Sequence, residues 1–338
     1  MEENMLKACK PIRTIRIAAV QMQSVLGHIK ENLEHATSLV EQAASQGAQL
    51  VALPELAASG YSLSPRVWQG GEPRNGQTIK WLGKISAKLG IYVGIGFVEA
   101  EGTDFYNSYA IGAPDGRIAG IVRKSNPEVN IFKSCEGPHV IATPLAKIGI
   151  GICADNLFVA NLIRMQQHSA DLLLMPHAAP LPFKVGGPIK AKEIPEARTS
   201  MGNMAPNFAQ RIGLPTAFIN PVGPRGPEKW DGLFGAVISS DAWRMGGLST
   251  IANPDGEILG QLGELEEGVI VASVTLDETR KVKTRLVGHG SYGGGFVTPH
   301  PAVFECICYV DAFFGRMAYR LRPERRKIAE LISSGASA

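Results

Sequence analysis

Three residues that could carry out acid, base or nucleophilic chemistry each follow a predicted buried strand. These are Glu55 after the apolar run 50–52, Lys124 after the run 118–122, and Cys153 after the run 148–152. Since strand ends meet at the open edge of an α/β sheet, we expect the three side chains to lie close together. A carboxylate exchanges protons, an ammonium stabilises an oxyanion, and a thiol attacks an electrophilic carbon. The set therefore predicts a site that combines acid, base and nucleophilic groups.

Each of these residues also has a plainer interpretation when taken alone. Cys153 could be a small buried hydrophobic residue. Glu55 could cap a surface turn, and Lys124 could be a solvated edge lysine. However, Asp155 and Asn156 follow the cysteine and predict a polar, ligand-facing loop, and a helix beyond them would stabilise the thiolate through its N-terminus. The plainer interpretations leave unexplained why all three residues stand at strand ends, so we favour the catalytic one.

The elements that must position these residues alternate between apolar strands and amphipathic helices, as expected of buried strands covered by helices. Strands are predicted over 15–22, 48–53, 91–98, 147–153, 171–175, 216–220 and 268–276. Helices are predicted over 31–46, 77–89, 157–169 and 193–212. Two Pro-Asp-Gly sequences, 114–116 and 254–256, predict tight turns between antiparallel strands. The pattern predicts an α/β fold with a mixed sheet.

The chain is predicted to contain one large domain with a segment on each side. No linker or charge run interrupts residues 15–280, so we assign them to one domain, preceded by a leader over 1–14. The extension over 281–338 differs, because it is glycine-rich over 288–295 and later combines aromatic residues with arginines. From these aromatic residues, which include Phe313, Phe314 and Tyr319, we expect subunit contacts and a homodimer or higher homo-oligomer.

Composition excludes several classes of function. The chain has 34 basic and 31 acidic residues and a formal net charge of +3. This near balance does not indicate the excess of positive charge that binding to nucleic acid or an anionic membrane requires. It contains no apolar stretch long enough for a membrane span, and residues 1–14 lack the apolar region of a secretory signal peptide. We therefore expect a soluble, cytoplasmic protein. Five scattered cysteines indicate reduced thiols, and the pair Cys306 and Cys308 lacks the partners of a zinc site. We therefore expect a small-molecule substrate and neither metal nor cofactor.

Three segments together resemble the signature segments of the nitrilase superfamily, the carbon-nitrogen hydrolases. They are Leu53-Pro54-Glu55, Arg123-Lys124 and the stretch 149–155, which contains Cys153. Their order and wide spacing match as well, and the resemblance extends over about 15–276. It implies a four-layer αββα sandwich, usually paired across a dimer, with the C-terminal extension added to it.

The resemblance also implies roles for individual residues. Glu55 would be the general base and Cys153 the nucleophile, while Lys124 and the backbone N–H of Ala154 would stabilise the oxyanion. Many members have a second glutamate after the lysine, and we favour Glu128 over Glu136 for that position. Asp155 and His177, which follow predicted strands, are further candidates for binding or orienting the substrate.

Rival mechanisms and several substrates stay open at this point. A hydrolase that pairs Cys153 with His177 would leave Glu55 and Lys124 without roles. A non-catalytic scaffold would not need the intact set of three. The bond cleaved could be a small amide, an N-carbamoyl group or a nitrile, and we favour the amide because it makes the fewest demands beyond the triad.

Overall fold

The computed structural model describes residues 12–185, 189–226, 242–282 and 313–335. One sheet has seven strands: β1 (Arg13–Gln21), β2 (Leu50–Ala52), β3 (Gly71–Pro73), β4 (Tyr92–Glu101), β5 (Asp104–Gly112), β6 (Ile118–Arg123) and β16 (Gly268–Leu276). Their order is β16-β1-β2-β4-β5-β6, with β3 beside the end of β4. Strands β1, β2 and β4 are parallel, whereas β5, β6 and β16 join through antiparallel pairs.

A second sheet of six strands packs against the first. It contains β7 (Val140–Ala142), β8 (Lys147–Ile150), β9 (Leu172–Pro176), β11 (Thr216–Ile219), β14 (Thr250–Ala252) and β15 (Ile258–Gln261), in the order β15-β14-β11-β9-β8-β7. A small sheet has the order β10-β13-β12 and is formed by β10 (Pro180–Pro182), β12 (Val222–Pro224) and β13 (Trp243–Gly246).

Helices cover the outer faces of both large sheets. They are α1 (Ile29–Ser45), α2 (Gln77–Leu89), α3 (Val159–Gln167), α4 (Glu193–Gly202) and α5 (Met204–Ile212). A further helix, α6 (Pro323–Ser333), packs in a separate cluster with the ends of β4 and β5. Successive side chains of a strand point to opposite faces of its sheet. In β9, Leu172 and Leu174 pack between the two sheets, while Leu173 packs against α3 and α5. The helices α1 and α2 form the matching outer layer on the first sheet. The predicted four-layer αββα sandwich is therefore confirmed.

Both Pro-Asp-Gly sequences form the predicted antiparallel connections. The first joins β5 to β6 and the second joins β14 to β15. In each turn the glycine has a left-handed backbone, with φ of 83° at Gly116 and 79° at Gly256, a region that favours glycine.

Two details of the predicted architecture are wrong. The single helix predicted over 193–212 is divided into α4 and α5 at Asn203, where ψ of 6° leaves the helical range. Gly202 and Asn203 are both poor helix formers, which accounts for the break. The three candidate residues also do not share one sheet edge: Glu55 and Lys124 follow β2 and β6 of the first sheet, and Cys153 follows β8 of the second.

The ends of the chain differ from the sequence interpretation. Strand β1 already begins at Arg13, inside the predicted leader. Tyr319, predicted to form subunit contacts, is only 6% exposed and packs within its own chain, whereas Phe313 and Phe314 are exposed. The glycine-rich stretch 288–295 and Cys9, Cys306 and Cys308 lie outside the described residues. Among the helices that are described, none is both long and apolar enough to cross a membrane.

Candidate active site

Glu55 and Lys124 form a buried ion pair at the centre of the candidate site. Lys124 Nζ lies 2.7 Å from Glu55 Oε1, and the two residues are only 1% and 2% exposed. The same oxygen accepts a hydrogen bond of 2.7 Å from Asn107 Nδ2, on the neighbouring strand β5. The backbone N–H of Lys124 also donates to the Asn107 carbonyl at 2.8 Å. Asn107 therefore fixes both members of the pair.

The second glutamate beside the lysine is Glu128. Its Oε1 lies 2.9 Å from Lys124 Nζ and accepts a hydrogen bond of 3.0 Å from the Tyr61 hydroxyl. Glu136 pairs instead with Arg164 at 3.3 Å, and its side chain is 83% exposed. The structure thus brings Glu128, and not Glu136, to the candidate site.

Cys153 stands at a sharp change of chain direction after β8. Its φ of 45° lies in the left-handed region, which is rare for a residue other than glycine and stores backbone strain. The Ala178 N–H donates to its thiol. Asn220 supports that segment, since its Oδ1 accepts the neighbouring Ala179 N–H at 2.8 Å. A strained turn and a fixed donor therefore determine where the sulfur lies.

The expectation that a helix N-terminus would stabilise the Cys153 thiolate is wrong. A 3₁₀ turn over Cys153–Leu157 separates the cysteine from α3, which begins at Val159. Burial and the Glu55 carboxylate raise the pKa of the Cys153 thiol well above its usual value, although Lys124 opposes them. The resting nucleophile is therefore a thiol, and a base has to remove its proton.

Burial and neighbouring charges shift the pKa values of both partners of the ion pair, Lys124 and Glu55. Burial alone would lower the pKa of Lys124, but Glu128 and Glu55 outweigh it and raise that pKa well above its usual value. Lys124 is thus a permanent cation at neutral pH. Burial raises the pKa of Glu55 above its ordinary 4.5 against the opposing effect of Lys124. A carboxyl group of this kind can both accept and return a proton.

Asp155 and Asn156 are buried and hydrogen-bonded within the protein, whereas the sequence predicted that they would face a ligand. Asp155 is buried, and its Oδ1 accepts the backbone N–H groups of Ser125 and Asn126 at 3.1 and 2.8 Å. Asn156 is also buried, and its Nδ2 donates to the Gly151 carbonyl at 2.7 Å. The prediction of a ligand-facing loop is therefore wrong for these two residues, which fix the segments on either side of the site.

Ala154 keeps a position that suits an oxyanion donor. It is partly exposed, and the hydrogen bonds of its turn begin one residue later, with the Asp155 N–H donated to the Ile152 carbonyl at 2.9 Å. The first N–H groups of a helical turn have no partner within the turn.

His177 does not have the environment of a catalytic base. It is 4% exposed, and burial together with Lys124 lowers the pKa of His177 to about 3. Its Nε2 lies 3.0 Å from Asn156 Nδ2, and its ring packs edge-on against Phe218. Because the amide nitrogen is a donor, Nε2 is an acceptor and is already engaged. The geometry favours a structural histidine.

Asn107 and Tyr61 were missed by the sequence interpretation. Asn107 lies in the middle of β5, and a buried asparagine within an apolar strand is a detectable signal of a polar network. Tyr61 lies in the segment after Glu55, where sequence alone offered no comparable signal.

Two carboxylate oxygens in the site are buried without a partner among the described residues. These are Glu55 Oε2 and Glu128 Oε2. Buried polar atoms are normally hydrogen-bonded, so unpaired oxygens beside a thiol indicate a space for a polar ligand or water. The arrangement can therefore supply a nucleophile, a proton acceptor and a fixed positive charge to one bound group.

The chain is similar to curated proteins and solved structures over most of its length. The omega-amidase NIT2 of Xenopus tropicalis is 27% identical over 76% of this chain and 87% of its own length. The N-carbamoylputrescine amidase of Solanum lycopersicum is 27% identical over 83% of this chain and 91% of its own length. The carbon-nitrogen hydrolase structure from Helicobacter pylori G27 shares the fold with a TM-score of 0.68, at 24% identity over 79% of this chain and 90% of that one. Because the carbon-nitrogen hydrolase model matches residues 16–284, this chain belongs to the carbon-nitrogen hydrolase family.

Proposed function

We propose that this carbon-nitrogen hydrolase cleaves a small amide through a thioester on Cys153. The observation that carries the proposal is the cluster of the buried Glu55 and Lys124 with the partly buried Glu128, whose charges act on the Cys153 thiol. Relatives named omega-amidase support an amide substrate.

In the first half of the reaction, Glu55 accepts the thiol proton as Cys153 Sγ attacks the amide carbon. Negative charge then develops on the former carbonyl oxygen, and Lys124 Nζ and the Ala154 N–H stabilise it. Glu55 returns the proton to the amide nitrogen, the carbon-nitrogen bond breaks, and ammonia or an amine leaves. The acyl group stays on sulfur as a thioester.

In the second half, water replaces the departed amine. Glu55 removes a proton from this water as its oxygen attacks the thioester carbon, and the same two donors stabilise the second oxyanion. The carbon-sulfur bond breaks, and the proton on Glu55 returns to the sulfur. Glu128 keeps Lys124 in place during both halves, since it contacts the ammonium group at 2.9 Å.

An N-carbamoyl amine and a nitrile are the alternative substrates, and relatives named N-carbamoylputrescine amidase and nitrilase support including them. We therefore test propionamide, N-carbamoylputrescine and propionitrile at equal concentrations and measure the ammonia released. The proposal expects the amide to have the highest kcat/KM, with the Cys153→Ala variant as the blank. A higher kcat/KM for either other compound would replace the amide while leaving the mechanism in place.

Replacement of Lys124 by methionine is expected to lower the rate of acyl transfer about 10³-fold, because the oxyanion loses a fixed charge. The buried Glu55 carboxyl group then lacks the cation that lowers its pKa, so its pKa rises further in the folded protein. Stability should therefore fall more at pH 8 than at pH 5. Single-turnover ammonia release and thermal unfolding at both pH values measure these effects.

The Lys124→Arg variant serves as the charge-conserving control. A planar guanidinium cannot place its charge at the point that Nζ occupies, so we expect poor rescue of the rate. Near-normal acyl transfer in this variant would contradict the point-charge role of Lys124.

We propose, in addition, that the protein is a cytoplasmic homo-oligomer that uses the exposed aromatic residues of the helical segment 313–321. Phe313 and Phe314 are 66% and 56% exposed, and their rings form an edge-to-face pair at 5.4 Å. Phe314→Asp is expected to produce a smaller particle in light scattering, because a charge cannot be buried in an apolar contact. The exposed substitution Arg320→Ala is the control, and an unchanged mass in Phe314→Asp would count against this contact.

A further inference from the structure

The C-terminal residues 313–335 lie beyond the family match, which ends at residue 284, yet they pack tightly onto the catalytic domain. Tyr319, Arg325 and Ala329 are 6%, 3% and 0% exposed. This degree of burial shows that the segment is an integral part of its own chain and not a loose tail. Its helix α6 packs against β3, β4 and β5, and the segment also contacts residues 128–133, which we name the Glu128 loop.

The first contact is a close approach of two backbones. Gly315 lies in the helical segment 313–321, and a Cβ atom added to it would lie 3.2 Å from Asn130 N, Asn130 Cβ and Val129 Cγ2. That separation is tighter than ordinary van der Waals contact, so any side chain at this position must displace a neighbour. Gly315 therefore sets the distance between the C-terminal segment and the residues directly after Glu128.

The second contact is a polar bridge through the start of β5. Asp104 pairs with Arg325 of α6 at 2.5 Å and with Lys133 of the Glu128 loop at 2.7 Å. Tyr319 reinforces the bridge, because its hydroxyl accepts the Phe105 N–H at 3.0 Å while the Phe105 carbonyl accepts the Lys133 N–H at 2.9 Å. The far end of the loop is thus attached to the C-terminal segment through two successive residues.

The third contact is an apolar cluster beneath the loop. Ile131 and Phe132 are 0% and 1% exposed and belong to one buried cluster with Trp68, Tyr319 and Ala329. Trp68 Nε1 also donates to the Ile131 carbonyl at 2.9 Å. The C-terminal helices therefore complete the core on which the loop rests.

Hydrogen bonds within the Glu128 loop connect its buried residues to Glu128, which contacts Lys124 in the candidate site. The Glu128 carbonyl accepts the N–H groups of Ile131 and Phe132, both at 2.8 Å, so the backbone of Glu128 is rigidly connected to the buried pair. We propose that residues 313–335 are a positioning element that fixes the Glu128 carboxylate against Lys124. The catalytic part of this inference rests on the proposed function, whereas its structural part does not.

Hydrogen-deuterium exchange tests the structural part without any substrate. Gly315→Ala favours the helix intrinsically but adds the Cβ that presses on Asn130. We expect the Ile131 and Phe132 amides to exchange about tenfold faster in this variant and faster still in Gly315→Leu. The exposed Arg320→Ala variant on the same helical segment should exchange as the wild type does. Unchanged loop exchange in a folded Gly315→Leu variant would overturn the proposal.

A double-mutant cycle tests whether the effect of Gly315→Ala on kcat depends on the Glu128 carboxylate. With propionamide, Gly315→Ala is expected to lower kcat about tenfold with little change in KM, since displacements well below 1 Å already impair positioned groups. In a Glu128→Gln background the same substitution should change kcat less than about twofold, because the positioned carboxylate is already lost. A full tenfold loss in both backgrounds would show that Gly315 does not act through Glu128. If the wild type released no ammonia, the proposed function would fail, while the exchange experiment would still decide the structural part.

Discussion

Replacement of Cys153 by alanine is expected to reduce ammonia release by a factor on the order of 10⁴ or more, because no other group in the site can form the thioester. The fold should be retained, since Cys153 is partly exposed and alanine removes only the sulfur. Steady-state turnover and thermal unfolding of the purified variant measure the two effects.

Cys135 offers a matched control for the nucleophile. It is likewise partly exposed and free, and Cys135→Ala is expected to keep near-normal turnover. Cys153→Ser should be nearly inactive, because a hydroxyl is much harder to ionise than a thiol beside the same base. More than trace activity in pure Cys153→Ala would remove this residue from the mechanism.

Replacement of Glu55 by glutamine is expected to slow both halves of the reaction by about 10²- to 10⁴-fold, which is the usual contribution of a general base. Glutamine preserves an oxygen that can accept from Lys124 and Asn107, so the site should keep its shape. It cannot carry a proton from the thiol to the leaving amine. Rapid-quench measurement of the first turnover should therefore show no burst of ammonia.

The His177→Ala variant separates this mechanism from the Cys-His alternative. Loss of a buried ring should lower the melting temperature, but the His177 pKa of about 3 and its bond to Asn156 make it a poor acceptor for the thiol proton at neutral pH. We therefore expect a burst to persist in this variant. A fast burst in Glu55→Gln combined with an inactive His177→Ala variant would reverse the assignment.

The alternation of apolar runs with amphipathic segments was sufficient to predict the large elements of the fold. Strand β16 has the predicted bounds, Gly268–Leu276, as does α2, Gln77–Leu89. Among the strands that were not predicted, β3, β7, β10 and β12 have three residues each and β13 has four, which is too short to show a clear period of two. Strand β10 also begins and ends with proline, which argues against a strand in sequence.

The sequence identified the charged and nucleophilic members of the site but not the residues that position them. Glu55, Lys124 and Cys153 could be singled out because each chemical type follows an apolar run. Tyr61 acts through a contact with Glu128, 67 positions away, and such a pairing has no local signature. The environment of the thiol also depends on burial and on neighbours from another sheet, so its raised pKa could not be foreseen.

The pairing of β1 with β16 has a consequence for biosynthesis. Arg13 is opposite Leu276 and Gln21 is opposite Gly268, so β1, which is made before the other described strands, must wait for nearly the whole domain before its sheet is complete. Such non-local pairing leaves an apolar edge of the nascent chain open for much of translation, when chaperones are most needed. Residues 313–335 emerge later still, and only then can they support the Glu128 loop. Competence for catalysis should therefore arise only after residues 313–335 have left the ribosome and packed on the domain.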